Sequence, residues 1–383
     1  MKIQTRTVLS LVSLASLSLC ATARAESSVS LYGTLDAGIY YSSNQGGSHV
    51  LQFVDSSVMS STWGITGTED LGDGRQALFK LASFFRPATG QQTFAGKMFS
   101  QYAYVGLADE RLGTVTLGRQ LDVVGNTLWN FTAAADWGGT LYAHPYDNDN
   151  AWGTFWVNNA VNYQSAPFAG FQFSGMYAFS NKAGDGNGSG FADNRLWGMG
   201  VSWSLAALKA ALVYEQLDNP GNDLTATTGA VDLVDANFRA ARQRIFGAGL
   251  SYDFDKVSLR GNVTRSQMSN PLGEYQNAAF TGAPSMSFNN FEIDALYHVS
   301  PSLDIGGSYT YTIARVAGAS PHWNQAGMMA QYHLSKRTSV YLNAVWQRVH
   351  GDGSEFSHAQ LNGLVASSSE SQGIAGIGMK HVF

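Results

Sequence analysis

The chain has 383 residues, of which 12% are aromatic and only 13% charged, with 42 glycines against 8 prolines and a mildly polar mean hydropathy of -0.11. No apolar run reaches the roughly 20 residues of a spanning helix, which excludes a helical membrane protein and leaves room for a barrel whose strands are half apolar and half polar. With 23 basic and 28 acidic residues the net charge is -5, which disfavours a nucleic-acid partner.

At the amino terminus Lys2 and Arg6 precede an apolar run from about Val8 to Ala21, and Ala23-Arg24-Ala25 supplies a small-x-small cleavage site. That is the layout of a secretory signal peptide over residues 1–25. Leu19 stands before Cys20 where a lipoprotein would need a small residue. Cleavage after Ala25 removes the chain's one cysteine and three bases but no acid, so residues 26–383 carry 20 bases against 28 acids, or -8, and no disulfide.

Beyond the cleavage site the pattern has period two. Val29, Leu31, Leu35 and Ile39 alternate with Ser30, Tyr32, Thr34 and Asp36; later Phe171, Phe173, Tyr177 and Phe179 do so with Gln172, Ser174 and Ser180. The same holds for Trp197, Met199, Val201 and Trp203, and for Val340, Leu342, Ala344 and Trp346. Short turns rich in Asp, Gly, Pro and Ser fall at 70–74, 109–113, 165–170, 205–207, 253–256, 299–302 and 335–338. Longer polar stretches lie between them, for example at 182–193, 218–240, 268–287 and 351–372. Seven short turns alternating with eight loops predict an all-β fold: a transmembrane antiparallel 16-stranded β-barrel with both termini on the short-turn, periplasmic side.

The longest unpaired stretch, residues 120–157, separates a strand ending near Arg119 from one beginning near Val157. A loop this long is functional or disordered, and Trp129, Phe131, Trp137, Tyr142, Trp152, Phe155 and Trp156 are too many aromatics for disorder. It is expected to pack against the inner wall as a constriction loop. Its charges are Asp122, Asp136, Asp147 and Asp149, with no Lys or Arg from Leu121 to Val157. These carboxylates are either solvated or line a constriction opposite basic wall residues. Lys80 shares a strand face with Gln76 and Ala82, and Arg260 shares one with Ser258, Asn262 and Thr264. A cation on the lipid face costs about 2 to 4 kcal/mol, so both belong in the lumen. Arg119 is in phase with Val115 and Leu117 and reaches the lumen only if a bulge near Gly118 shifts the register.

The chain ends inside a strand. In the last eleven residues Ala375, Ile377, Met379, His381 and Phe383 fall on one face and Ile374, Gly376, Gly378, Lys380 and Val382 on the other.

Several blocks together resemble the general trimeric porins of the β-proteobacterial Gram-negative porin family: SLYGTLD at 30–36, GITGTEDLG at 64–72, YVGL at 104–107, GTVTLGRQ at 113–120, NYQSAPFAG at 162–170, YAFS at 177–180, GAGLSY at 247–252 and GMKHVF at 378–383. The resemblance implies sixteen strands, an inward-folded third loop and a homotrimer in the outer membrane, among its lipid and lipopolysaccharide. It further implies passive diffusion of ions and small hydrophilic solutes. It would place Asp122 and one or more of Asp136, Asp147 and Asp149 at the constriction, with Lys80 and Arg119 on the wall, and would make Phe383 the terminal aromatic read by the barrel assembly machinery. Gly33, Ala37 and Gly67 would allow close approach between neighbouring barrels. The third loop departs from the family in lacking a Pro-Glu-Phe-Gly segment and in its extra tryptophans, and Ala82 stands where relatives often place an acid.

Catalysis and cofactors find no support. The eight histidines have no metal-ligand spacing, and neither G-x-S-x-G nor a phosphate-binding loop occurs. Asp185-Gly186-Asn187-Gly188-Ser189-Gly190 imitates the start of a calcium loop, but Leu196 stands where the bidentate Glu is needed. A substrate-specific channel for sugars or aromatic acids would account for the tryptophans, and a structural or adhesive barrel would have a plugged lumen. From the four unbalanced loop aspartates the expectation is a weakly cation-selective channel.

Overall fold

The computed structural model describes residues 27–183, 190–221, 228–272, 274–275, 278–279, 283–352 and 354–383. The expected signal peptide lies outside these residues, as does most of the calcium-loop look-alike at 185–190.

Sixteen antiparallel strands form one closed sheet: β1 (Ser28–Gln45), β2 in two pieces (Ser48–Asp55 and Thr62–Gly72), β3 (Arg75–Phe84), β4 (Tyr102–Asp109), β5 (Gly113–Leu121), β6 (Trp156–Gln164), β7 (Phe171–Ala178) and β8 (Arg195–Leu205). They continue as β9 (Leu208–Asp218), β10 (Arg239–Asp253), β11 (Val257–Leu272), β12 (Ser285–Ser300), β13 (Leu303–Val316), β14 (His322–His333), β15 (Thr338–His350) and β16 (Ser371–Val382). Each pairs with its neighbours in sequence, and β16 pairs back onto β1 from Thr34↔Val382 to Ser42↔Ile374. The ring is locked at the chain end, where Gly33 and Phe383 exchange both backbone hydrogen bonds at 3.1 and 3.0 Å. Closure leaves no edge strand, and so no unpaired backbone to face lipid.

The period-two pattern becomes two surfaces. Val29, Leu31, Leu35, Ile39, Val105, Leu107, Leu250, Ile293, Leu342 and Ile377 face outward and are exposed, while Asp36, Thr116, Asn262, Glu292, Thr310 and Asn343 face inward and are buried. An apolar exterior around a polar interior is what a membrane barrel requires.

All seven short turns sit where the sequence places them. Two outer connections, 46–47 and 317–321, are themselves short, and β11 and β12 run further into the expected 268–287 loop than its polar composition suggests. There Met268↔Met286 continues the ladder, because both side chains are buried in an aromatic cluster with Phe288, Trp323 and Phe356. The break in β2 at residues 56–61 is fixed by Asp36, whose Oδ1 accepts the Ser57 N–H at 2.9 Å.

Candidate channel constriction

The third outer loop leaves β5, folds into the barrel and returns at β6. It opens with a short helix, α1 (Val123–Leu128), whose N-cap is Asp122: the carboxylate accepts the Gly125 N–H at 2.9 Å. Short 3₁₀ turns and one π turn follow, at Trp129–Phe131, Ala134–Gly138, Thr140–Tyr142 and Pro145–Asp147.

The inner wall has a track for this loop. Gly198 on β8 lies under Val123, Gly200 under Thr127, Gly247 on β10 under Leu128, Gly249 under Phe131, Gly306 on β13 under Trp137, and Gly327 on β14 under Tyr142; a Cβ at any of them would collide with the loop side chain above it. These lumen-facing glycines let the backbone of the loop approach the sheet closely.

Polar anchors fix the loop along the track. His144 is fully buried between two carboxylates, with Nδ1 2.7 Å from Asp149 and Nε2 2.8 Å from Glu292 on β12. Glu292 also accepts the Ala133 N–H at 2.6 Å and the Asn262 amide at 3.1 Å. Burial works against the imidazolium, but Asp149 and Glu292 outweigh it and hold the His144 pKa well above the ordinary histidine value. Burial likewise opposes the Asp149 carboxylate, yet His144, Thr264 and the Ala151 N–H keep its pKa below normal. Further along, Arg260 on β11 pairs with Asp136 of the loop and, at 2.8 Å, with Asp294 on β12, which also accepts the Trp137 indole N–H at 3.0 Å.

The four loop aspartates therefore have specific neighbours. Asp122 is buried against Glu215 on β9, and burial pushes its pKa up to about 7. Asp147 accepts the N–H groups of Trp152 and Thr154 at 3.1 and 3.0 Å; burial, with Asp149 nearby, pushes its pKa up to about 6. Asp149 is held as described, and Asp136, about one third exposed, is paired with Arg260.

Arg119 turns inward through the expected irregularity. The β5–β6 register shifts between Gly118 and Gln120, and Gly118 itself takes a positive φ of 133, which breaks the alternation of β5 just before Arg119. The Arg119 guanidinium grips Asp235 of the fifth outer loop with two bonds of 2.8 and 3.0 Å. Lys97 of the second outer loop joins the same cluster, 2.5 Å from Asp235 and 2.8 Å from Asp232. Sequence reasoning passed over Lys97, Asp232, Asp235, His144 and the wall carboxylates Glu215, Glu292 and Asp294. The last three carry a legible signal, an acid in lumen phase in mid-strand.

The loop lies along the inner wall from β7 to β15, where Tyr142 bonds to Asn343 at 2.7 Å, and its tip reaches the break in β2, where the Thr140 N–H donates to the Ser57 carbonyl at 3.1 Å. On the other side two cavities meet at Ser60, Phe84, Trp152, Gly153 and Trp156: an outer one of about 460 Å³, reached by Asp55 and Arg86, and an inner one of about 370 Å³ reached by Lys80, Asn126 and Trp129. Lys80 stands half-buried on the β3 wall, and the loop segment across from it, 126–130, contains no charged residue.

Comparison with known proteins agrees with this architecture. The family model described as Gram-negative porin matches residues 10–352. An outer membrane porin protein of Bordetella pertussis is 31% identical over 353 residues, spanning 83% of this chain and 88% of that protein. Among solved structures, an anion-selective porin from Comamonas acidovorans superposes with a TM-score of 0.72 at 22% identity, covering 94% of this chain and all of that one. The trimer form of the outer membrane protein OmpT of Vibrio cholerae reaches 0.65 at 13% identity, covering 93% of this chain and 99% of that one. A closed sixteen-stranded barrel with an inward third loop, matched along most of its length by the family model and by a relative of the same kind, is an outer-membrane channel for passive diffusion, and this chain belongs to the Gram-negative porin family.

Proposed function

We propose that the channel passes small hydrophilic solutes with a weak preference for anions, through the path between the β1–β5 wall and the third loop. The observation that carries this is the position of Lys80: it borders the inner cavity opposite an uncharged loop segment, while Asp122 and Asp149 are buried against the wall, Asp147 is buried against N–H groups of the loop itself and Asp136 is paired with Arg260. The cation preference expected from the loop's composition depends on carboxylates facing the path, and these carboxylates are turned to other partners. The similar porin from Comamonas acidovorans is anion-selective, which supports the same reading.

The Vibrio cholerae trimer supports a threefold assembly here, three barrels sharing part of their outer walls. Lys80 and the loop aspartates are proposed as the residues that set ion preference, Lys80 directly and the aspartates by their absence from the path.

A planar-bilayer reversal potential across a KCl gradient tests the reading. The sign should report anion preference and fade as salt rises, since the Debye length is about 10 Å at 0.1 M. Lys80→Gln should move it toward cations, while Asp122→Asn should leave it in place. A cation-selective wild type, or one unaffected by Lys80→Gln, would refute it.

A further inference from the structure

We propose that the inner cavity is a binding site for a small aromatic carboxylate, a single planar ring carrying one carboxyl group. This rests on the channel reading above and concerns what is retained in the path.

The cavity holds about 370 Å³, room for one ring and a few waters. Lys80 supplies the charge. Its Nζ lies 3.9 Å from the Tyr102 ring centroid and 5.3 Å from that of Tyr32, and among the described residues no carboxylate comes within ion-pairing distance of it. The inward cations Lys97, Arg119 and Arg260 each have an acidic partner, and Lys380 on β16 stands directly across the ladder from Asp36. A half-buried ammonium that the protein leaves without an anion is matched by a ligand carboxylate, which forms a charge-assisted hydrogen bond in partly desolvated surroundings.

The remaining lining supplies flat apolar faces. Trp129 and Trp152 are nearly parallel, with centroids 6.0 Å apart and planes at 18°, and Trp156 stands edge-on to Tyr102 at 4.7 Å and 85°. An aromatic ring is held by such faces in offset-stacked or edge-on geometry. A sugar would stack on the same indoles, but a neutral polyol leaves the Lys80 charge unanswered.

The test is a tryptophan-fluorescence titration of the detergent-folded protein with 4-nitrobenzoate, whose nitro-aromatic ring quenches indole emission, beside acetate, neutral 4-nitrobenzyl alcohol and maltose. Saturable quenching by 4-nitrobenzoate is expected. Affinity should fall about tenfold or more in Lys80→Gln, as for loss of a hydrogen bond to a charged group, return in Lys80→Arg, and weaken in Trp129→Leu. Quenching that does not saturate, that is matched by 4-nitrobenzyl alcohol, or that is unchanged in Lys80→Gln would overturn the proposal, as would saturation by maltose alone. The titration needs no ion flow, so a barrel that binds the probe but carries no current would sink the channel reading and leave the site standing.

Discussion

His144 shows how a single side chain can determine where a loop lies. Both ring nitrogens face carboxylates, so the imidazole must carry two protons to satisfy them. Its raised pKa means that its contribution to stability is complete below the ordinary histidine value and is lost as pH rises through the higher folded value. Thermal stability and current steadiness should therefore decline on the alkaline side of neutrality. His144→Ala, which strands two buried acids, should be less stable by about 3 to 5 kcal/mol, as for other broken buried pairs, and should lose that alkaline decline. A mutant with unchanged melting would refute the anchor. Asp122 has the opposite character. Its pKa of about 7 means that stability present under acid conditions is lost as pH rises from the ordinary carboxylate range toward neutrality. Asp122→Asn keeps an N-cap acceptor for Gly125 and removes the buried charge beside Glu215. Melting at neutral pH should rise above wild type, with the difference vanishing in acid; a fall at neutral pH would contradict this. At Arg119 the bonds to Asp235 tie the end of β5 to the fifth loop, and Asp235→Ala should cost about 3 to 5 kcal/mol by leaving Arg119 and Lys97 buried with less compensation. An unchanged melting profile would count against that tie.

At the level of elements, the third loop and its track depend on each other. The strands and turns were legible because a half-buried strand must alternate and a tight turn must use Asp, Gly, Pro or Ser. The bulge that turns Arg119 inward was legible too, as the only way its phase could be reconciled with a lumen position. The glycine track was not. Gly198, Gly247, Gly306 and Gly327 look like ordinary strand glycines in sequence, and their role appears only when Val123, Leu128, Trp137 and Tyr142 are seen lying over them. The same applies to the loop aspartates, whose partners Glu215, Thr264, Arg260 and Asn290 come from strands far along the chain. Gly247→Leu removes the room for Leu128 and should push the loop toward the β1–β5 wall, lowering single-channel conductance while the barrel still assembles. Conductance equal to wild type would mean that the loop has space to spare.

For the whole molecule, closure of the ring is the main event. β16 joins β1 over nine residue pairs, and the last backbone exchange uses Phe383, whose ring also lies against Gly33. Deleting Phe383 should reduce the yield of folded, heat-modifiable protein in the outer membrane; full assembly of the truncated chain would contradict that role. The overall architecture was readable from spacing alone, because strand number follows from counting turns. The charge pattern of the path was not, since composition counts carboxylates without saying which way they face. The central claim is that the open path runs along the β1–β5 wall past Lys80, while the β7–β15 wall is sealed by the loop. Its most direct test uses the fact that the only cysteine, Cys20, lies in the expected signal. Single cysteines placed at Lys80 and at Thr312 in a conducting channel should respond differently to a bulky water-soluble methanethiosulfonate reagent: Lys80→Cys should react rapidly with a stepwise fall in current, and Thr312→Cys, fully buried on β13, should not react. Rapid block at Thr312→Cys with none at Lys80→Cys would put the path on the other side of the loop.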